Sequence, residues 1–392
     1  MPSISRRQYL GAISTTALTA IAGCQSNSCT PSEPGNTHWP QFRGGSRNTN
    51  AAPDFPALTS SGSYWTTDLE DTIDIVGIAT ARNRIVVVGS ETGQNGGVLT
   101  TIQLNDGSSD TAHELERGAT SPPALVGSLA ITPVLGDYTD PSTGGVVAID
   151  LDSWTESWTH EIDGRPNAPT VSENLVIVSS DQGDVTAIDA GSGDIEWTRN
   201  FGDDHQNAAI PAPPAIDSNR VYVSAQGSAM QGVYALDRDS GETLWSIPGP
   251  DIPAPFVRAG DVVLGSYREY ELAAFDVETG KSQWSQAIHG GRLFAPAVAD
   301  DRVFSADRET VYALSLGRGE SDWETELTVR GVPLVVGNSV VVPTQDGLVG
   351  LSIEDGTERW TISESPDTAC VPVENGLIYA VENSVTLRTT CK

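Results

Sequence analysis

The sequence predicts an all-β fold: an eight-bladed β-propeller of four-stranded antiparallel blades, closed by an N-terminal strand that pairs into the last blade. Three observations carry this. The stretch 183–197, GDVTAIDAGSGDIEW, returns as GVYALDRDSGETLW (232–245), ELAAFDVETGKSQW (271–284), TVYALSLGRGESDW (310–323) and GLVGLSIEDGTERW (347–360). Each copy is an alternating apolar strand, a turn rich in Asp and Gly, and a strand closing on Trp; a period near forty residues with four short strands is a propeller blade. Prolines precede every Val/Ile-rich stretch, at Pro122/Pro123, Pro169, Pro213/Pro214, Pro255, Pro296, Pro333 and Pro372. Proline survives where one side of a strand is unpaired, as on the innermost strand beside a central channel. Finally, the chain ends in strands that lack the turn and the Trp, while an orphan Trp65 stands near its start.

From the N-terminus, Arg6 and Arg7 followed by Tyr9 and Leu10 resemble a twin-arginine export signal. The apolar run 11–22 is too short for a permanent bilayer span. It ends at Ile21-Ala22-Gly23-Cys24, which resembles a lipobox, with cleavage before Cys24 and acylation of its thiol. Residues 1–23 are therefore expected to be a lipoprotein signal peptide. Residues 24–60, rich in Ser, Pro, Asn, Gly and Thr, read as a flexible tether, and 61–392 as the propeller.

Within the propeller, Gly107, Trp154, Gly193, Gly241, Gly280, Gly319 and Gly356 form one turn column. Their spacing runs from 37 residues (319 to 356) to 48 (193 to 241), the long steps absorbing insertions at 136–144, 202–206 and 225–231. Four residues after each comes Thr111, Trp158, Trp197, Trp245, Trp284, Trp323 or Trp360, expected to fill the gaps between neighbouring sheets. Asp150, Asp189, Asp237 and Asp276, four before the turn column, are expected to accept turn N–H groups. They are not calcium loops, which need a longer loop ending in a bidentate Glu. The missing outer strand of the last blade is expected at 63–69, carrying Trp65. Sealing the ring this way removes exposed sheet edges.

The repeat VYALDxxTGxxxW resembles the pyrroloquinoline-quinone repeat over about residues 65 to 392, and Trp39-Pro40-Gln41-Phe42-Arg43-Gly44 resembles the segment preceding many propellers of that family. Two branches matter. Quinoprotein dehydrogenases carry an adjacent Cys–Cys pair over the cofactor and a calcium site; here the cysteines are Cys24, Cys29, Cys370 and Cys391, and nothing transfers residue by residue. The non-catalytic branch includes the lipoprotein scaffold of the bacterial outer-membrane assembly complex. Resemblance to it implies an eight-bladed, lipid-anchored, protein-binding scaffold, with the hexapeptide pinning the tether to the body.

Composition narrows the partners. The 22 basic and 52 acidic residues give a formal charge of −30, and Lys281 and Lys392 are the only lysines. Evenly spread acid with little Lys suggests a halophilic protein whose carboxylates hold water in brine. Nucleic acid is excluded as a partner, because phosphate binding needs clustered Lys/Arg. The five histidines, His38, His113, His160, His205 and His289, show no metal-ligand spacing, and neither a GxSxG elbow nor a Walker loop occurs. No enzyme activity, metal or cofactor is therefore expected.

Cys370 should begin the inner strand of the last blade and Cys391 end its third, at opposite ends of the sheet. Cys29 can reach either; Cys29 with Cys391 is preferred, tying the chain ends beside the closure. The turns between second and third strands share a face with the connections between blades. There Asp181, Gln182, Gln226, Arg268, Glu269, Asp307, Arg308, Gln345 and Asp346 are the candidate binding residues. The expectation is a monomeric propeller, exported by the twin-arginine route and held on the outer face of the cell membrane by lipid on Cys24, binding protein partners through this face. The alternative is a quinone-dependent or small-molecule-binding site in the funnel.

Overall fold

The computed structural model describes residues 29–391 except 36, 57, 59–60, 71–72, 92–95, 137–142, 203–207, 228–230, 250–254, 268–269, 289–290 and 292. Arg6, Arg7, Cys24, Arg268 and Glu269 lie outside the described residues. The regular elements are all strands, and no helix among the described residues is long and apolar enough to cross a membrane.

Eight antiparallel blades follow one another around the ring. In blade 3, for example, Thr170–Ser172, Leu175–Ser179, Asp184–Asp189 and Ile195–Asn200 run outward from the channel. The second and third strands are buried on both faces between neighbouring blades, which is why VIVS and VTAID read as nearly unbroken apolar runs. The outermost strand alternates between solvent and the next blade, so its one inward ring is Trp197.

Closure follows the expected route. Strand β3 (Ser61–Asp68), after β1 (His38–Trp39) and β2 (Ala51–Ala52), pairs antiparallel with Ser384–Thr390, placing Trp65 opposite Leu387. Blade 8 is thus three C-terminal strands and one N-terminal strand. A disulfide joins Cys29 to Cys391 with Cα atoms 5.1 Å apart. Cys370 stays free; burial of its sulfur pushes that thiol up to about 12.

Each Trp of the column latches one blade to the next. The indole N–H of Trp158 donates to Ala190 O, Trp197 to Arg238 O, Trp245 to Val277 O, Trp284 to Leu316 O and Trp323 to Ile353 O. Trp65 does the same to Leu104 O, which carries the latch across the closure. The ring lies against the turn glycine of the following blade: a Cβ on Gly319 would meet the Trp284 ring at 2.4 Å, and Gly319 has φ +68°. Glycine is needed there for both reasons. At the junction of blades 1 and 2 the pattern inverts. Blade 1 has Thr111 in place of Trp, and blade 2 has Trp154 in place of glycine, at φ 57°, packing back onto the blade 1 core.

Trp360 is the exception. Blade 8 is completed by a strand from the other end of the chain, so it has no tight turn offering a carbonyl, and the Trp360 indole N–H has no partner among the described residues. Trp284 and Trp360 are equally buried, both 8 % exposed. Trp284→Phe is therefore expected to cost about 1 kcal/mol more than Trp360→Phe, the worth of one hydrogen bond, read as the difference in unfolding free energy.

The turn aspartates behave as expected. Asp150, Asp189, Asp237 and Asp276 each accept the N–H three residues on, at 2.8 to 2.9 Å. The Ser128 hydroxyl, then the Ser153 N–H, hold Asp150 down to about 2; Ser192 and Thr279 lower Asp189 and Asp276 in the same direction. A carboxylate lowered on folding stabilises fully above its unfolded pKa of about 3.9 and loses that contribution as pH falls through the folded value. Thermal melts are expected to be flat from pH 7 to about 4 and to fall between about 4 and 2.

Candidate functional site

The inner strand of each blade presents a row of N–H and C=O groups to the channel, and such groups must find partners if water is excluded. Residues expected to form a flexible tether supply them, and the assignment of 24–60 as a tether is corrected for its described part. The segment 38–52 makes one circuit of the channel wall. It begins as β1, antiparallel to the inner strand of blade 1, with Trp39 opposite Thr80. Pro40 O then accepts from Leu125 N of blade 2, and Gln41 exchanges both amide bonds with Val171 of blade 3. Ser46 O accepts from Ile216, Arg47 O from Arg258 and Thr49 O from Val298, in blades 4, 5 and 6. Asn50 O accepts from Val335 as β2 pairs in parallel with the inner strand of blade 7. In blade 8 the residue at this register is Pro372, which has no N–H to satisfy.

Side chains of the same segment cap the carbonyls at the start of the inner strands. Arg43 Nη2 donates to Pro296 O, and its Nε to Asn48 O at 2.9 Å. Asn48 Nδ2 reaches Pro214 O at 3.0 Å, and Asn50 Nδ2 reaches Pro333 O at 2.6 Å. Trp39, Gln41, Arg43, Asn48 and Asn50 are all buried. Burial pushes the Arg43 guanidinium down to about 9, so it is still protonated at neutral pH. The curl depends on left-handed backbone at Arg43, Gly44, Asn48 and Asn50. A Cβ on Gly44, at φ +86°, would sit 2.6 Å from the Trp39 ring. Gly44→Ala is expected to destabilise the protein by about 2 kcal/mol, measured by denaturant unfolding.

The two ends of the ring are thereby distinguished. The N-terminal segment enters at the end where Cys29 meets Cys391 and Gly35 N donates to Glu374 O. The opposite end carries the candidate residues. Its second-to-third strand turns pair with the blade connections through bridges such as Pro166 with Ser180 and Val329 with Thr344. Asp181, Gln182, Arg308, Gln345 and Asp346 are exposed on this face, and Gln226 is half-buried. Each turn is tied to its own connection: Asp181 accepts from Arg165 N at 2.8 Å, and Gln345 accepts from Arg330 Nη2 at 2.7 Å. Asp307 is a correction. It is fully buried, accepting from Glu309 N, Thr310 N and the Tyr312 hydroxyl, so it holds a turn and offers nothing to a ligand. The face is a set of exposed polar turns around the lined channel; no group of three or more metal-binding side chains gathers among the described residues.

Sequence reasoning missed Gln41, Arg43, Asn48 and Asn50. The available signal was the density of amide and guanidine side chains just upstream of a fold known to leave inner edges unpaired.

The model of the PQQ_2 family, described as outer membrane protein assembly factor BamB, matches residues 142–288 and 268–389. The chain belongs to this family. Among curated PQQ_2 relatives, the outer membrane protein assembly factor BamB of Moranella endobia is 25% identical over 244 residues, covering 55% of this chain and 62% of that protein. The match thus spans less than two thirds of the relative's length. The crystal structure of BamB from Moraxella catarrhalis superposes with a TM-score of 0.65 at 19% identity, covering 84% of this chain and all of that one. Quinohemoprotein alcohol dehydrogenase from Comamonas testosteroni superposes with a TM-score of 0.68 at 13% identity, over 90% of this chain and 80% of that one. At such identities these likenesses show the propeller alone.

Proposed function

We propose that this chain is a lipid-anchored, extracytoplasmic propeller that docks protein partners through the exposed turns around its channel, without catalysing a reaction. The lining of the channel wall by the chain's own segment is the observation that carries this reading. The inner wall of the channel is covered by residues 38–52, whose carbonyls take up the inner-strand N–H groups and whose side chains at Trp39, Gln41, Arg43, Asn48 and Asn50 are buried. What stays accessible is a broad polar face suited to a macromolecule. The relatives' description as assembly factors supports a scaffold. Crosslinking and pulldown from intact membranes is expected to recover a stoichiometric partner, lost when Asp181, Gln182, Gln345 and Asp346 are replaced together by Ala. A quinone- or sugar-dependent activity would instead appear as absorbance change on titration with quinone and calcium.

In this reading the signal bearing Arg6 and Arg7 exports the folded chain, and lipid on Cys24 holds it to the outer face of the membrane. Four residues separate Cys24 from Cys29. Fully extended, that leash spans about 18 Å. With Cys29 bonded to Cys391, blade 8 is held at the membrane by the end opposite the docking turns. Cys24→Ser is expected to move the protein from the membrane to the soluble fraction. The halophilic reading belongs here too: at a charge of −30, the melting temperature is expected to rise as KCl is raised from 0.1 to 2 M.

A further inference from the structure

At the end of blade 8 opposite the docking turns, the start of the described chain, the channel segment and the closing strand meet. Cys29, close behind Cys24, is exposed and bonded to Cys391. A Cβ on Gly62 would lie 2.9 Å from the Cys29 sulfur, so the second residue of β3 sits against the disulfide. Residues 30–60 therefore leave this point, line the channel and return to it. A pull on the N-terminus can enter the fold here by two routes, and the disulfide decides which.

The first route runs through the disulfide. Cys391 follows the strand 384–390, which is paired with β3 at seven positions on one side and with 376–381 at six on the other. That strand runs from the docking-turn end to the disulfide end, so a pull away from the docking turns acts along its axis. Ladder hydrogen bonds lie perpendicular to the strands, so those on both sides are sheared together and share the load.

The second route runs along the backbone beyond Cys29. Its first contacts are local: Ser32 with Thr389 and Thr390, Gly35 N to Glu374 O at 3.0 Å, then Trp39 N to Thr80 Oγ1 at 3.0 Å. From Pro40 to Asn50 the segment meets blade after blade around the channel. It lies across the direction of the pull, so its contacts break one after another. Forced unfolding follows the barrier of the step under load, and each of these steps is small. Peeling stops at Ser61, where β3 is again loaded along its axis against 384–390.

We infer that the Cys29–Cys391 bond is a load bypass: it passes tension between the anchored N-terminus and a partner on the docking turns directly into blade 8, keeping the channel lining out of the path. Without it, the same tension strips residues 30–60 from the channel and bares the inner-strand N–H groups. The source of the tension rests on the anchored-scaffold reading; the load path is a property of the fold alone.

Optical-tweezers pulling tests this on the full chain carrying Cys24→Ser. One handle is attached to a peptide tag inserted after residue 24, the other to a tag in the loop 136–144 at the docking end. With the disulfide intact, no extension step is expected before the propeller itself unfolds. Cys29→Ser should add an earlier step, at lower force, that lengthens the chain by about 100 Å, the stretched reach of residues 30–60. A loss of stability alone would lower the main rupture wherever the handle is placed. Moving the handle separates the two: the Cys29→Ser chain pulled by a tag after Lys392 loads 384–390 directly and should show no early step. An early step with the disulfide intact, none in Cys29→Ser, or the same step when Cys29→Ser is pulled through Lys392 overturns the inference. Membrane fractionation of Cys24→Ser and the pulldown through the docking turns test the anchored-scaffold reading separately.

Discussion

Replacing residues 38–52 with a glycine–serine linker of equal length is expected to cost the protein of the order of 5–10 kcal/mol, comparable with the whole stability of many domains. The segment supplies acceptors to Leu125, Val171, Ile216, Arg258, Val298 and Val335, and side-chain donors to Pro214, Pro296 and Pro333. Each bond is worth about 1 kcal/mol net. Water entering the emptied channel would solvate part of the exposed edge, which keeps the loss below a full desolvation penalty. Denaturant unfolding and melting temperature read the loss directly. A synthetic peptide of residues 31–55 added in trans should restore part of the melting temperature, because the wall it lines is formed by the ring. A linker variant that melts with the wild type would show that the inner strands need no partner from the N-terminus.

Reducing the disulfide, or changing Cys391→Ser, is expected to lower stability by about 3–5 kcal/mol. The bond spans 362 residues, so it removes much of the freedom of the unfolded chain. It also pins the start of the channel segment beside the closure, where Ser32 N donates to Thr390 O at 2.8 Å. The wild type should lose melting temperature on adding reductant, whereas Cys391→Ser should be indifferent to it. Cys370 supplies an internal reporter: its partly buried thiol, pushed up to about 12, should label faster as the protein unfolds. Equal melting temperatures with and without reductant would mean that the strand pairing of β3 alone holds the ring closed.

The parts of this molecule that repeat were legible before any coordinates. One Trp and one Gly at a fixed offset in each blade report the same junction again and again, and the structure places them as Trp284 on Gly319 and Trp323 on Gly356. Asp150 and its equivalents were readable because their partners lie two or three residues away. The orphan Trp65 located the closure because a strand without a blade and a blade without a strand have one economical solution. Asp307 misled for the opposite reason. It looks like any turn acid, and only the packing of Tyr312 turns it inward.

The sequence by itself determined the blade count, the latch between blades and the pairing of the two chain ends, since each is written in local spacing repeated many times. Only the tertiary structure decided that residues 38–52 line the channel. The channel segment bonds to residues from 41 to 285 positions away, among them Thr80, Val171 and Val335, and it meets successive blades through different residues. A pattern that never repeats, between partners brought together only when the ring closes, leaves no period in the chain to read.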